Sequence, residues 1–284
     1  MDGQRMFHIR KILLDDLKFA VNLTNTMKWD LVEEDFKYMM KLEPDGCFIT
    51  FDDAKKIGIA TTIHFDKLGW LGNVIVSENY RGRGIGSLLV RHALEYLEKK
   101  KVETVGLYAY IPKVPFYQKL GFEYDSEFVY LKGTAISLPI KNCTRKAVED
   151  DFGKIIDFDH LCFGASRRKL LKPIFLDKEN VCQIALDDRK ILGFIIARRY
   201  GGIAEIGPLV CQEKCDDIAA ELIKNILNQL KGCKVSMCIP KKETILLNKL
   251  TEWGLSESFP VARMFYGKYS ENNYIYMAES LERG

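Results

Sequence analysis

The chain has 284 residues and a formal net charge of +3 at pH 7; 47% of its residues are hydrophobic and 29% are charged. That balance is typical of a soluble globular protein, and the net charge is too small to argue for a nucleic acid or a membrane surface as partner. No apolar run approaches the roughly 20 residues that cross a bilayer, and the segment MDGQRMFHIRK has no apolar signal core. We therefore expect a cytoplasmic protein without nucleic-acid or membrane partners.

Hydrophobic patterns in the first half predict a strand, two helices, an antiparallel three-stranded meander, a helix, a strand, a short helix and a last strand. In chain order these are MFHIRKI, DDLKFAVNLTNTM, LVEEDFKYMMKL, GCFITFD, KIGIATTIHF, GWLGNVIVS, the helix of about 86–100, VETVGLYAY, PFYQKL and GFEYDSEFVYLKG. Pro115 can open the short helix and Gly121 can end it.

The second half repeats this order. Its segments are CTRKA, EDDFGKIIDFDHLCF, NVCQIALDD, KILGFIIARRY, IAEIGPLVCQ, DDIAAELIKNILNQL, CKVSMCIP, KETILLNKLTEW and LSESFPVARMFYG. Gly72 and Gly207 precede equivalent strands. The repeat predicts two tandem domains of the α/β (α+β) class, each a mixed, mostly antiparallel sheet flanked by helices. We divide them as residues 1–135 and 136–284, because the segment Lys132–Cys143 is polar and contains proline.

The cysteines give little sign of a metal site or a disulfide framework. No two of them form a CxxC pair, and the four histidines lack metal-ligand spacing. Several lie in apolar runs, which favours buried thiols in a reducing cytosol over a zinc site or disulfides. The eight are Cys47, Cys143, Cys162, Cys182, Cys211, Cys215, Cys233 and Cys238.

The two halves differ most at one strand-to-helix joint. The first half has RGRGIGS at residues 81–87, where glycines allow positive φ and a close approach of a ligand to the backbone. Free amides at a helix N-terminus, with arginines beside them, suit a pyrophosphate. The second half has CDDIAAE at 215–221, and the carboxylates of Asp216 and Asp217 would repel the same ligand.

Two common phosphate motifs do not fit this joint. A Walker A loop needs Lys-Ser/Thr after its last glycine, whereas Gly86 is followed by Ser87 and Leu88. A dinucleotide fingerprint needs a third glycine at position 87 and a parallel βαβ unit, but the preceding strands read as an antiparallel meander. A glycine-rich turn without a ligand is the remaining alternative.

Two motifs carry a family resemblance. RGRGIG at 81–86 resembles the Arg/Gln-x-x-Gly-x-Gly/Ala signature of the GNAT superfamily of acyl-CoA-dependent N-acetyltransferases. FYQKLGF at 116–122 resembles the family's downstream Tyr-x-x-x-Gly-Phe element. The resemblance covers residues from about 8 to 131. The second half is similar in layout only, and looks like the degenerate GNAT-like domain, without phosphate loop, of some tandem members.

The resemblance implies acetyl-CoA as co-substrate and no metal. Its pantetheine would lie between the strand of Asn73–Ser77 and the strand of Val105–Tyr110, which splay apart, with the backbone N–H near Val76 polarising the thioester carbonyl. Tyr117 is implied as the general acid for the departing thiolate. The family's Asn before this tyrosine is missing from LYAYIPKVPFY. The implied cofactor-binding residues are Val74, Ile75, Val76, Arg81, Gly82, Arg83, Gly84, Ile85, Gly86 and Ser87.

The general base and the acceptor contacts stay open. Base candidates are Glu33, Glu34, Glu78 and His64, directly or through water. Trp29 and Trp70 either line the acceptor entrance or pack in a core. Ser166, Arg167 and Arg168 either contact an anionic acceptor or form a solvated basic run. Glu205 is expected to face the groove of the first domain.

These observations favour an N-acetyltransferase in which a small-molecule or peptide amine attacks acetyl-CoA directly in the N-terminal domain. The C-terminal domain would help to form the acceptor site or an interface, and a homodimer is left open. Two alternatives remain: a non-catalytic acyl-CoA-binding sensor or scaffold, and acyl transfer to a protein lysine or N-terminus.

Overall fold

The computed structural model describes residues 7–141, 143–188, 190–269 and 274–284. The first half forms β1 (Phe7–Lys11), α1 (Leu17–Asn25), α2 (Glu33–Leu42), β2 (Cys47–Asp52), β3 (Lys55–Phe65), β4 (Leu68–Val76), α3 (Ile85–Lys99), β5 (Thr104–Tyr110), α4 (Val114–Gln118) and β6 (Glu123–Thr134). The second half forms β7 (Thr144–Lys146), α5 (Phe152–Phe163), α6 (Arg168–Leu176), β8 (Val181–Asp187), β9 (Lys190–Tyr200), β10 (Ile203–Cys211), α7 (Asp216–Gln229), β11 (Lys234–Pro240), α8 (Thr244–Glu252), β12 (Ser256–Gly267) and β13 (Ile275–Met277).

The predicted order of elements is confirmed in both halves. Helix α6 was missed, because its residues were interpreted as part of a basic run. Within the described residues, no helix has the length and apolar character needed to span a membrane. All eight cysteines are free thiols, and six of them are buried.

Within the described residues, the strands of both halves join one sheet. Its order is β1-β2-β3-β4-β5-β12-β6-β11-β10-β9-β8-β7, and β13 pairs with β10. Neighbours are antiparallel except for the pairs β4–β5 and β10–β11, which are parallel. The predicted mixed, mostly antiparallel architecture with flanking helices is therefore confirmed.

The two halves exchange their last long strands. Strand β12 of the second half pairs with β5, with Val261 opposite Tyr110, while β6 of the first half pairs with β11, with Thr134 opposite Lys234. Strands β12 and β6 also pair with each other. Each half therefore completes its part of the sheet with a strand from the other. The domain division at residue 135 remains a prediction from the sequence. In the structure, β6 precedes that boundary in the chain but lies beside strands of the second half.

Helix α3 shows how the sheet is covered. Five of its apolar side chains are at most 1% exposed, and burying each of the four larger than alanine contributes about 2 kcal/mol relative to exposure. Leu88 on the same helix is 38% exposed. The buried residues are Ile85, Leu89, Val90, Ala93 and Leu97.

The start of α6 docks on the first half through polar contacts. Lys169 Nζ lies 2.8 Å from an oxygen of Glu43, which also accepts hydrogen bonds from Tyr96 and His64. Burial would raise the pKa of Glu43, but the hydrogen bonds from Lys169 and Tyr96 outweigh it and lower the pKa. The Ser166 backbone N–H donates to Asp66 at 2.9 Å. Since both partners belong to the first half, these contacts fix the relative position of the two halves.

Arg167 is a structural residue, so both interpretations of it from sequence were wrong. Its side chain is 0% exposed and donates to both oxygens of Asp159, at 2.6 and 3.1 Å. It also donates to the carbonyl oxygen of Gly284 at 3.0 Å and lies 4.0 Å from the Phe163 ring centroid. All three nitrogen atoms of the guanidinium therefore donate hydrogen bonds within the protein, and its face packs on the Phe163 ring.

Replacing Arg167 should destabilise the fold strongly. Arg167→Met leaves the fully buried Asp159 carboxylate without its cation, and breaking a buried pair in this way costs about 3–5 kcal/mol. Urea unfolding followed by circular dichroism measures the change. Arg168→Met is the matched control, because Arg168 is exposed, and it should stay within about 0.5 kcal/mol of the wild type. Equal stabilities of the two variants would show that the buried Arg167–Asp159 pair does not stabilise the fold.

Candidate active site

A cavity of about 870 Å³ runs from the glycine-rich joint to residues of the second half. Its first part lies along β4 and the start of α3, and its far part is closed by β10, β12 and the segment after β13. The predicted site residues that line it are Val74, Ile75, Val76, Arg81, Gly82, Gly84, Ile85, Gly86, Ser87 and Tyr117. Except for Arg83, the structure therefore brings the sequence-predicted residues together.

The joint presents its backbone to the cavity. Gly82 and Gly84 have φ of +77° and +80°, and a Cβ on either would meet only open space. Helix α3 begins at Ile85, and the Leu88 amide donates back to the Gly84 carbonyl at 3.0 Å. The amides before Leu88 lie in the first turn, where no carbonyl of the helix itself can accept them. With the helix dipole behind them, such amides suit an anion.

The two arginines of the joint make different contacts. Arg81 Nε donates to the carbonyl oxygen of Val76 at 3.0 Å, which ties the end of β4 to the joint. Arg83 lies over the Tyr80 ring, 5.2 Å from its centroid, and does not line the cavity. Both side chains are exposed. The prediction that both contact phosphate stays a prediction, and Arg83 would have to leave Tyr80 to do so.

Strand β4 departs from regular pairing beside the cavity. Ile75 faces Ile59 on β3 but Gly72 faces Thr61, so β4 carries one extra residue there. Asn73 has a φ of +50°, and its side-chain Nδ2 donates a hydrogen bond to Thr61 Oγ1 at 3.1 Å. The bulge turns this part of the backbone away from β3 and toward the cavity.

Strands β4 and β5 separate next to this bulge. They pair only over Leu68–Trp70 and Thr104–Gly106. The Ser77 amide donates to Ile57 on β3 at 2.8 Å, so the Val76 amide, one residue earlier, points to the opposite edge. That edge faces the space between β4 and β5. The predicted splay is confirmed, and β4 offers backbone groups to a ligand lying in it.

Tyr117 reaches the cavity from α4. Its ring packs against Phe116 and Phe122, with centroids 4.9 and 5.7 Å away. Among the described residues its hydroxyl has no hydrogen-bond partner, although it lines the cavity. Burial raises the pKa of the Tyr117 hydroxyl above its ordinary value, so the group is protonated at neutral pH. It can therefore donate a hydrogen bond to a ligand.

The far end of the cavity is acidic and aromatic. Glu205 lines it from β10, as predicted, and Glu282 lines it from the segment after β13. Phe259 of β12 stacks on Tyr130 of β6 with ring centroids 5.0 Å apart. Trp29 also lines the cavity, and its indole nitrogen donates to the Tyr110 hydroxyl at 2.9 Å. The two carboxylates are the strongest candidates for a general base at this cavity.

None of the four base candidates from sequence lines this cavity. Glu33 and Glu34 lie on the exposed start of α2 near Lys37, and His64 is bound to Glu43. Trp70 is 2% exposed and packs against Tyr108, so the core interpretation was right for it and the entrance interpretation fits Trp29. Sequence reasoning missed Glu282, because its segment follows the last repeated element and nothing local indicates where it returns.

In the second half, the chain itself fills the equivalent groove. Strands β10 and β11 pair only over Ile203–Glu205 and Lys234–Ser236, like β4 and β5. Strand β13 lies against β10 in the space beyond, with Leu209 opposite Met277. The Ala278 amide donates across to Cys238 on β11 at 3.0 Å. Backbone edges that are free in the first half are thus used by β13 in the second.

The same segment then continues to the cavity of the first half. Two equivalent glycines permit its path: a Cβ on Gly207 would lie 2.0 Å from the Ala278 carbonyl oxygen, and one on Gly72 would lie 2.8 Å from Glu282 Cα. Real Cβ atoms do not approach backbone so closely. The glycines that mark the sequence repeat therefore position Glu282 beside the β4 bulge.

Gly207→Ala should displace this segment without touching the glycine-rich joint. For the amine acceptor and the acetyl-CoA that the sequence resemblance implies, we expect the KM of the acceptor to rise by at least roughly tenfold, equivalent to about 1.4 kcal/mol, while the Kd for acetyl-CoA changes little. Steady-state kinetics and calorimetry measure the two constants. Gly202→Ala is the control, since a Cβ there meets nothing within 4 Å. An unchanged acceptor KM in a folded Gly207 variant would show that the segment does not shape the site.

Two family models match the chain. One, described as "Acetyltransferase (GNAT) family", matches residues 12–122, and the other, "Acetyltransferase (GNAT) domain", matches residues 155–277. The holothin acyltransferase of a Pseudoalteromonas strain is 25% identical over 267 residues, covering 90% of this chain and 87% of that protein. The N-acetylaspartate synthetase of Xenopus tropicalis is 30% identical over 128 residues, covering 43% of this chain and 44% of that protein.

Solved structures share the whole fold. A Pyrococcus horikoshii crystal structure has a TM-score of 0.82 and 22% identity, covering 100% of this chain and 98% of that one. A tandem GNAT protein from the clavulanic acid biosynthesis pathway has a TM-score of 0.63 and 10% identity, covering 94% of this chain and 100% of that one. At these identities the likeness concerns the fold alone.

Proposed function

The chain belongs to the GNAT acetyltransferases, with a GNAT domain in each half, and we propose that it transfers an acetyl group from acetyl-CoA to a small amine at one site. The observation that carries the proposal is the continuous cavity, which joins the anion-binding joint, the gap beside β4, Tyr117 and two carboxylates. A phosphate-bearing thioester fits one end, and a basic amine fits the other.

The residues of the first half suit coenzyme A. The amides between Gly82 and Ser87 would bind its pyrophosphate, and the left-handed glycines leave room for it. Val74 and Val76 would hydrogen-bond the pantetheine along the free edge of β4. When bound, acetyl-CoA supplies an acetyl thioester; the Val76 amide then lies where it can stabilise negative charge on the thioester oxygen.

Two side chains would move the protons. Glu282 accepts a proton from the acceptor ammonium, because its backbone lies against Gly72 beside the bulge and burial raises its pKa. The neutral nitrogen forms a bond to the thioester carbon, and the bond from that carbon to sulfur breaks. Tyr117 gives its hydroxyl proton to the departing sulfur. The second proton of the new amide nitrogen then restores the Tyr117 hydroxyl, so the products are the amide, the free thiol and protonated Glu282.

We assign no acetyl-CoA to the second half. Strand β13 fills the gap between β10 and β11, and Asp216 and Asp217 begin α7 where the first half has its glycines. A pyrophosphate there would meet two carboxylates at close range. The second half instead contributes Glu205, Phe259 and Glu282 to the cavity, which supports a role in acceptor binding.

The walls of the cavity favour a small acceptor over a protein. Segments from β10, β12 and the residues after β13 enclose its far end. An extended polypeptide would need an open groove at that point, whereas a small amine can enter the enclosed space.

Calorimetric titration of acetyl-CoA, followed by thiol release with a panel of small amines, tests the proposal. We expect one site per chain and turnover with at least one amine. Two sites per chain would contradict the assignment of a single working half. Absence of binding to a folded protein would overturn the proposal, and binding without thiol release for any amine or lysine peptide would favour an acyl-CoA sensor.

A further inference from the structure

The far end of the cavity contains more carboxylates than cations. Glu205, Glu279 and Glu282 meet there with Arg198 and Arg283. Arg283 donates to both oxygens of Glu279, at 2.8 and 3.3 Å, and this pair is buried. Arg198 also lies 3.6 Å from Glu279. Arg283 is therefore bonded to Glu279, and the three carboxyl groups outnumber the two guanidinium groups.

The Glu205 carboxyl group faces the cavity. Glu205 lies 3.7 Å from Arg198 and 3.8 Å from Arg283, which is beyond hydrogen-bond distance, and it has no closer polar partner among the described residues. Its side chain is 27% exposed, into the cavity. Burial raises the pKa of Glu205 to about 7. A carboxylate in such a place has no protein donor within hydrogen-bond distance among the described residues, and an incoming ammonium would supply donors.

The lysines of the cavity do not neutralise this end. Lys28, Lys113 and Lys132 line the cavity, but their side chains are exposed, so they stand at its solvent-facing rim. Lys132 lies over the Tyr130 ring, 5.7 Å from the centroid. Asp35, another lining residue, accepts a hydrogen bond from the Val32 amide at 2.9 Å.

Aromatic rings line the cavity next to this acidic end. Phe259 contacts both Tyr130 and Tyr110, with ring centroids 5.0 and 5.3 Å away. Rings of this kind accept a methylene chain by burial of apolar area, and their faces attract a cation. They would bind an anionic or strongly polar acceptor tail poorly.

We infer that the acceptor is a small aliphatic diamine, with one nitrogen at the thioester, a methylene spacer along the aromatic rings and a second ammonium on Glu205. The inference rests on the proposed function and deepens it. The second ammonium forms no covalent bond; it replaces missing hydrogen-bond donors and balances the excess charge.

Three acceptors with four carbons each test the inference: 1,4-diaminobutane, butylamine and 4-aminobutyrate. They share the attacking nitrogen and differ at the far end, which is an ammonium, a methyl group or a carboxylate. We expect kcat/KM for the diamine to exceed that for butylamine by at least roughly 100-fold, the discrimination that a buried charged partner gives. The carboxylate should be the poorest acceptor. Diamines with three to six carbons then locate the best spacer.

A variant isolates the contact. Glu205→Gln keeps the shape of the side chain and removes its charge, so the preference for the diamine over butylamine should fall by at least roughly tenfold. Glu213→Gln is the matched control, because Glu213 is exposed and lies outside this cavity, and it should leave the preference intact. The ratio of the two acceptors is the readout, so a general loss of activity cannot mimic the result.

The outcomes separate the two proposals. Acetyl-CoA binding together with equal use of the three acceptors, or with use of none of them, overturns the diamine inference and leaves the acetyl-CoA site standing. An unchanged preference in Glu205→Gln also overturns it. Failure of the wild type to bind acetyl-CoA overturns the proposed function and the inference together.

Discussion

Gly84→Glu is expected to weaken acetyl-CoA binding by at least roughly 100-fold, or about 2.7 kcal/mol. Gly84 has a φ of +80° and is the residue immediately before α3, so its side chain would enter the space in front of the helix N-terminus. A glutamate there puts a carboxylate on the amides that would bind pyrophosphate, and it fills room that the ligand needs. Calorimetry with acetyl-CoA measures the loss.

The control must carry the same backbone strain. Gly232 has a φ of +85°, is exposed, and a Cβ on it meets nothing within 4 Å. It lies after α7, outside the cavity. Gly232→Glu should therefore cost a similar 1–3 kcal/mol or so of stability and leave acetyl-CoA binding unchanged. If both variants bound acetyl-CoA normally, the glycine-rich joint would not be the pyrophosphate site.

Local sequence predicted the elements of this fold because each element satisfies its own periodicity. Strand β3 is buried along most of its length, α3 repeats its apolar face, and Gly121 ends its short helix with a φ of +91°. The joint at 81–87 could also be predicted, since a glycine run before a helix has few other uses. These features depend on residues within one or two turns of each other.

The exchange of β6 and β12 could not be predicted in that way. Both strands have the pattern of a final strand for their own half, and the pattern specifies a buried face but not a partner. Pairing Val261 with Tyr110 joins residues far apart in the chain. Which strand completes which half depends on the stability of the whole sheet in each pairing.

The acidic end of the candidate site could not be predicted in full from the sequence, for the same reason. Glu282 follows the last repeated element, so its place depends on β13 lying between β10 and β11. Arg167 looked like a member of a basic run, but its burial is decided by Asp159, eight positions earlier, and by the carbonyl of Gly284. The sequence shows which charged side chains are present. It does not show which oppositely charged groups lie beside them in the fold.

Tyr117→Phe is expected to lower kcat by about 100-fold or more, the usual share of a positioned proton donor, with little change in the Kd for acetyl-CoA. The ring of Tyr117 is packed by Phe116 and Phe122, and phenylalanine keeps both contacts. Only the hydroxyl is removed, and it has no partner among the described residues that would be left unpaired. Single-turnover kinetics with a good acceptor measures the chemical step directly.

The pH profile gives an independent check on Tyr117. Burial raises its pKa above the ordinary value of about 10, so the hydroxyl stays protonated as the pH rises through 10. The wild type should therefore show no loss of kcat from this group between about pH 7 and 10. Tyr80→Phe is the matched control, since Tyr80 lines the same cavity near the joint, and it should retain kcat. Equal rates for Tyr117→Phe and Tyr80→Phe would mean that the thiolate leaves without help from Tyr117, and water in the cavity would then have to supply the proton.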